Sequence, residues 1–155
     1  MDKQPKNYDK PRNYYEGTLQ LRNPSQQIVD YVVREIDKDR NVWIAKSIKH
    51  ENGIDLLLSS NTFLKQIGKK LKEHFPGELK LTSSIHTRNY LTQKDVHRGC
   101  VLFRHYDVKP GEMLRIRGEE LEVMKVGSEL LCKSRETGRK VHVKFGQLNR
   151  AQISS

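Results

Sequence analysis

The chain has 155 residues, room for one ordinary domain or two small ones, and its 35% hydrophobic and 31% charged residues suit compact cores rather than one large core. Its net charge of +10 is spread along the chain, with 18 basic against 12 acidic residues up to Arg98 and 11 against 7 after it. That balance favours a polyanionic partner, nucleic acid ahead of a membrane surface. The apolar runs are too short to span a bilayer, and the two cysteines, Cys100 and Cys132, are too few and too far apart for a disulfide framework or a zinc site.

Met1 to Asn13 is polar, carries Pro5 and Pro11, and reads as a flexible basic arm. Tyr14 to Arg22 alternates as a first strand. Asn23-Pro24-Ser25-Gln26 then opens a helix, with Asn23 as the cap, Pro24 at the first helical position and Gln26 reaching back as in a capping box. Ile28, Val32 and Ile36 give that helix its apolar face, and it is expected to stop near Asp39. A second strand spans Asn41 to Lys49, with Val42, Ile44 and Ile48 on one face and Trp43 on the other.

Asn52-Gly53 is the strongest short hairpin signal, because a tight I′ turn needs two residues that accept positive φ. Leu56, Leu57 and Leu58 do not alternate, so the third strand is expected between neighbours. Ser59, Ser60 and Asn61 offer caps for a second helix from about Thr62 to His74, whose stripe is Leu64, Ile67, Leu71 and Phe75. Pro76-Gly77 ends it, and Leu79 to Thr87 is a fourth strand. The order β-α-β-β-α-β predicts an antiparallel ferredoxin-like sheet with two helices on one face.

Arg88 to Gly99 lacks apolar periodicity and reads as a linker. Beyond it come short strands at Val101–Tyr106, Met113–Arg117, Leu121–Val126, Leu130–Lys133 and Val141–Phe145, separated by turn signals at Pro110-Gly111, Gly118, Gly127-Ser128 and Thr137-Gly138. They predict a small SH3-like or OB-like barrel. The expected fold class is therefore α+β: residues 1–13 an arm, 14–90 a ferredoxin-like domain, 91–98 a linker and 99–155 a small all-β barrel.

Candidate nucleic-acid contacts follow from spacing. Lys65, Lys69 and Lys72 recur at i, i+4 and i+7 along the second helix, an exposed basic ridge together with Lys70. Arg115 and Arg117 alternate with Leu114 and Ile116, so both are expected to face outward from the barrel. Arg135, Arg139, Lys140 and Lys144 gather at the last hairpin with His142. Such cations suit a nucleic-acid backbone. The third strand carries no aromatic residue for base stacking, unlike an RNA-recognition motif, and Tyr14, Tyr15 and Tyr31 read as packing residues.

Catalytic motifs are missing: there is no G-x-S-x-G, no phosphate-cradling glycine loop and no H-x-x-x-H pair. Acylphosphatases share the β-α-β-β-α-β order, but Leu21-Arg22-Asn23-Pro24 has no glycine with which to cradle an anion. Cys100 with His97 and His105 is too loose for a metal site, and Cys132 reads as buried and inert. No catalytic residue, metal or cofactor is expected.

The runs Tyr15-Glu16-Gly17-Thr18-Leu19-Gln20-Leu21-Arg22, Gly53-Ile54-Asp55 with Ser59-Ser60, and Val123-Met124-Lys125-Val126-Gly127 together resemble the large-ribosomal-subunit export adaptor family, named for the third of the nonsense-mediated-decay factors, and especially its archaeal members. The resemblance covers about Tyr14 to Ile153. It implies a non-catalytic protein that binds ribosomal RNA and the large subunit, monomeric when free and cytoplasmic. The family's N-terminal C-x-x-C zinc knuckles and its eukaryotic C-terminal export signal have no counterpart here, and neither has a modified lysine. The alternative is a module that docks a ribosomal protein or assembly factor, with charge serving solubility; an acylphosphatase-like hydrolase comes third.

Overall fold

The computed structural model describes residues 11–89 and 94–148, with side chains for 11–83 and 98–148. Most of the expected arm lies outside the described residues, as do positions 90–93. The chain divides into two compact units, residues 1–71 with 79–104 and residues 72–78 with 105–155.

The first unit is built on a sheet of five strands in the order β2-β3-β1-β5-β4. In chain order its elements are β1 (Gly17–Arg22), α1 (Gln26–Lys38), β2 (Ile44–His50), β3 (Gly53–Leu58), α2 (Asn61–His74), β4 (Gly77–Asn89) and β5 (Lys94–His105). β1 runs antiparallel to β3 and parallel to β5, Leu19 standing between Leu56 and Val101, and Leu21 between Ile54 and Phe103. The core joins Leu19, Leu21, Leu56, Leu58, Val101 and Phe103 of the sheet to Ile28, Val32 and Ile36 of α1 and Phe63, Leu64, Ile67 and Leu71 of α2. Removing their apolar surface from water is what holds the helices against the sheet.

Of the stretch read as a linker, Arg88 and Asn89 end β4, positions 90–93 lie outside the described residues, and Lys94–Gly99 begins β5; Val101–His105, read as part of a barrel strand, completes β5 in this sheet. The sheet is consequently not a four-stranded antiparallel one: β5 occupies the place beside β1, and β4 lies beyond it. The partner of Val101 is Leu19, about eighty positions back, so nothing in the local pattern around residue 95 announces the pairing. Ile48, expected inside, is 37% exposed, because a register shift between Ile44 and Lys46 turns the rest of β2 over. Trp43, expected on the far face, is buried with Val42.

Local turn chemistry also differs. Asn23 does not cap α1; it holds a left-handed φ of 51° and its N–H donates to the Asn52 carbonyl at 2.6 Å. Ser25 is the cap, its Oγ accepting from the Ile28 N–H, while the Gln26 amide donates to Asp30 instead of reaching back. The β2–β3 loop is Glu51-Asn52, and neither residue has positive φ. Gly53 is instead the first residue of β3, where a Cβ would overlap the Leu21 carbonyl.

The second unit carries a meander of four antiparallel strands: β6 (Met113–Ile116), β7 (Glu119–Val126), β8 (Leu130–Ser134) and β9 (Lys140–Val143), with a short 3₁₀ turn at Phe145–Gln147. Its core is Val108, Leu114, Leu121, Val123, Leu130, Cys132, Val143, Phe145 and Leu148, with Tyr106 stacked on Phe145 at 5.8 Å. The described residues form an open four-stranded sheet, so the SH3-like or OB-like barrel is corrected to a meander. With Val101–His105 spent in the other sheet, the described residues hold no fifth strand to bridge β6 and β9.

Candidate nucleic-acid interface

The segments that carry the family resemblance are structural. The Glu16 carboxylate accepts the Asn61 N–H at 2.9 Å and so caps the start of α2, where it also favours the positive end of the helix dipole. A Cβ on Gly17 would press on Asn61 and Leu64 at 2.5 Å. Ser60 Oγ accepts the Phe63 N–H, and the buried Ser59 hydroxyl accepts the Trp43 N–H at 3.0 Å. Asp55 takes Arg22 Nη1 at 2.7 Å on one oxygen and His50 Nε2 at 3.0 Å on the other. Burial pushes its carboxyl up, but these two partners outweigh burial and hold it below the ordinary value. Arg22, the one residue suggestive of an acylphosphatase cradle, is thereby committed to Asp55 and to the Leu21 carbonyl.

On α2, Lys65 and Lys69 are exposed and close no ion pair among the described residues. Lys70 reaches Glu35 at 3.4 Å, a carboxylate that also holds Lys38 at 3.3 Å. Lys72 leaves the ridge. Its ammonium donates to the carbonyls of Gly77 at 2.9 Å and Ser128 at 2.8 Å and lies 5.1 Å from the centre of the Phe145 ring. Burial lowers its pKa, against the opposing pull of Glu129 and Glu78. Lys72 belongs to the second unit, where it ties the Lys72–Glu78 segment to the β7–β8 turn, a packing role that i, i+4 spacing cannot reveal.

The second unit gathers the other candidates. Arg115 projects from β6 opposite Glu120 of β7. Arg117 does not continue that strand: with φ of 51° beside Gly118 at 82°, it forms the two-residue turn into β7. Expected to share a face with Arg115, it stands instead at the hairpin tip. Arg135 lies 3.5 Å from Glu120, both residues more than half exposed. Arg139, Lys140 and Lys144 are exposed and close no ion pair among the described residues. The Thr137–Gly138 turn holds this end together, with Gly138 N–H donating to Ser134 O and Ser134 N–H to Arg139 O, both at 2.8 Å.

Sequence reasoning missed Lys133. It pairs directly with Lys140 across β8 and β9, and its Cε lies 3.9 Å from where a Gly138 Cβ would stand. Counting outward from Glu136-Thr137 would have found the pair, since Lys133 and Lys140 are equidistant from that midpoint. Four cations, Lys133, Arg135, Arg139 and Lys140, thus lie within eight consecutive residues of one hairpin. Glu136 is the lone acid among those eight. Like charges facing each other across a strand pair repel, so this end of the sheet is poised to receive an anion.

Among the described residues no three His, Cys, Asp or Glu side chains come together as a metal site, and no helix is long and apolar enough to cross a membrane. Cys132 is fully buried and burial raises its thiol pKa; Cys100 donates to Gln20 Oε1 at 3.3 Å. Among the described residues the fold is mixed α+β, with two sheets and two helices, and four cations share one β-hairpin of the second unit. The family model described as NMD3, second domain, matches residues 14–104, more than half of the chain, and the protein belongs to that family. The family is one of non-catalytic, ribosome-associated adaptors of the large subunit. No curated protein matches the chain.

Proposed function

We propose that the protein binds RNA of the large ribosomal subunit without chemistry, gripping the phosphate backbone with the basic hairpin of its second unit. The observation that carries this reading is the set Lys133, Arg135, Arg139 and Lys140, of which Arg135 alone meets a carboxylate among the described residues, at 3.5 Å and in the open. A pair that exposed contributes little and yields readily to a phosphate. Lys144 and Arg115 extend the cationic surface, Arg117 adds a charge at the β6–β7 tip, and Lys65 and Lys69 supply a second patch on α2. Lys72 is left out of the contact set because its donors are engaged. An archaeal-type, cytoplasmic member acting in subunit maturation or translation fits this reading.

Co-sedimentation with purified large subunits tests it. Charge reversal at Arg135, Arg139 and Lys140 is expected to reduce binding at least about tenfold at moderate salt, with an unchanged far-UV dichroism spectrum. Undiminished co-sedimentation of the folded variant would remove the hairpin from the interface. One observation supports the alternative, docking of a ribosomal protein or assembly factor. Among the described residues β2 pairs with β3 alone, leaving its outer edge, with Ile48 partly exposed, free for an added strand. Lys46 and Lys49 on that strand guard the edge against indiscriminate pairing.

A further inference from the structure

The outer face of the second sheet holds one cross-strand row that the charge argument alone does not explain. Register places Met113 of β6 opposite Glu122 of β7, Glu122 opposite Lys133 of β8, and Lys133 opposite Lys140 of β9. Successive members are one strand spacing apart, so the row runs about 14 Å from thioether to carboxylate to two ammonium groups. Met113, Glu122 and Lys133 also line a hollow of about 500 Å³, completed by Ser134, Arg135 and Gly138. Glu122 is exposed and closes no ion pair among the described residues, although cations stand close by. A carboxylate left open in a phosphate-attracting surface weakens phosphate binding, unless the ligand also brings a hydroxyl donor.

We propose that this hollow seats one ribonucleotide of a single-stranded RNA segment and distinguishes it from deoxyribonucleotide; the proposal rests on the RNA reading above. The order of the row follows the order of groups in a nucleotide. Lys133 and Lys140, with Arg135 beside them, take the phosphate. Glu122 accepts a hydrogen bond from the ribose 2′-hydroxyl, the group by which a protein tells RNA from DNA. Met113 offers the base a polarisable apolar surface. A ring is not required for this contact, in keeping with a sheet that carries no exposed aromatic on this row.

The test uses the full chain and two labelled oligonucleotides, twelve-residue oligouridylate and its 2′-deoxyuridine counterpart, which differ only in the 2′-hydroxyl. Fluorescence anisotropy is expected to show the ribose form bound about 5- to 10-fold more tightly, the scale of one ordinary net hydrogen bond at a solvent-exposed site. In Glu122→Ala the ratio is expected to fall toward one, with the deoxy form bound no more weakly than before. Glu122→Gln, whose amide oxygen still accepts, is expected to keep most of the preference. Lys133→Gln is expected to weaken both oligonucleotides equally, as loss of a phosphate contact does. Equal affinity of the parent chain for the two forms, or a preference untouched by Glu122→Ala, would overturn the ribose seat while leaving backbone binding intact. Failure of both oligonucleotides to bind, alongside failure to bind the large subunit, would overturn the RNA reading itself and the seat with it.

Discussion

Asp55 shows how a single side chain ties neighbouring strands together. It sits on β3 between Arg22 of β1 and His50 of β2, and both of its oxygens are engaged. Its carboxyl is held below the ordinary value of 3.8, so its charged form is favoured by folding. The stability it contributes is therefore present above pH 3.8 and is lost as pH falls through the lowered value. Asp55→Asn is expected to flatten the acid limb of stability measured by urea unfolding between pH 2 and 5 and to lower stability at neutral pH. An unchanged acid limb would place the ion pairs outside the folding energetics. The same residue explains why a motif can be recognised before its purpose is visible. Gly53-Ile54-Asp55 carries family resemblance, yet Gly53 is needed for the approach of the Leu21 carbonyl and Asp55 for one partner on each flanking strand, Arg22 thirty-three residues back and His50 five. The Gly53 approach and the Arg22 partner cannot be read without the register.

At the scale of elements, periodicity was a good guide wherever one face met a core. The helical stripes at Ile28, Val32 and Ile36 and at Leu64, Ile67 and Leu71 are buried as expected, and β6 to β9 alternate as their sequences do. It failed where pairing is distant or a turn uses unusual residues. β5 lies parallel to β1, and its first half has no apolar alternation to mark it. Asn52-Gly53 advertised a turn that the chain places one residue earlier, whereas Arg117-Gly118 forms a positive-φ turn without the expected asparagine. That last site yields a prediction. A bulky residue in the left-handed region costs about 1 kcal/mol, and asparagine tolerates it better. Arg117→Asn is expected to raise the unfolding temperature by a few degrees, read by thermal dichroism, with subunit binding reduced by no more than one phosphate contact. A lowered unfolding temperature would show that Arg117 supports the turn rather than straining it.

For the whole molecule, a net charge of +10 made a polyanion the natural partner, but charge totals cannot tell a working cation from an engaged one. The structure sorts them. Arg22 and Lys72 are bound into the fold, Lys70 and Lys38 share Glu35, and the last hairpin keeps most of its cations open. Lys133 escaped notice because its significance lies in facing Lys140, a pairing legible in the sequence once the turn is centred on Glu136-Thr137 rather than on Thr137-Gly138. The most direct test is the salt dependence of RNA binding by the intact chain. Four phosphate contacts on a single strand predict that log K falls by about 2.8 for each tenfold rise in salt, and that the slope shrinks to under half of this when Arg135, Arg139 and Lys140 become glutamate. A nearly flat dependence, or a steep one unaltered by those substitutions, would contradict the account.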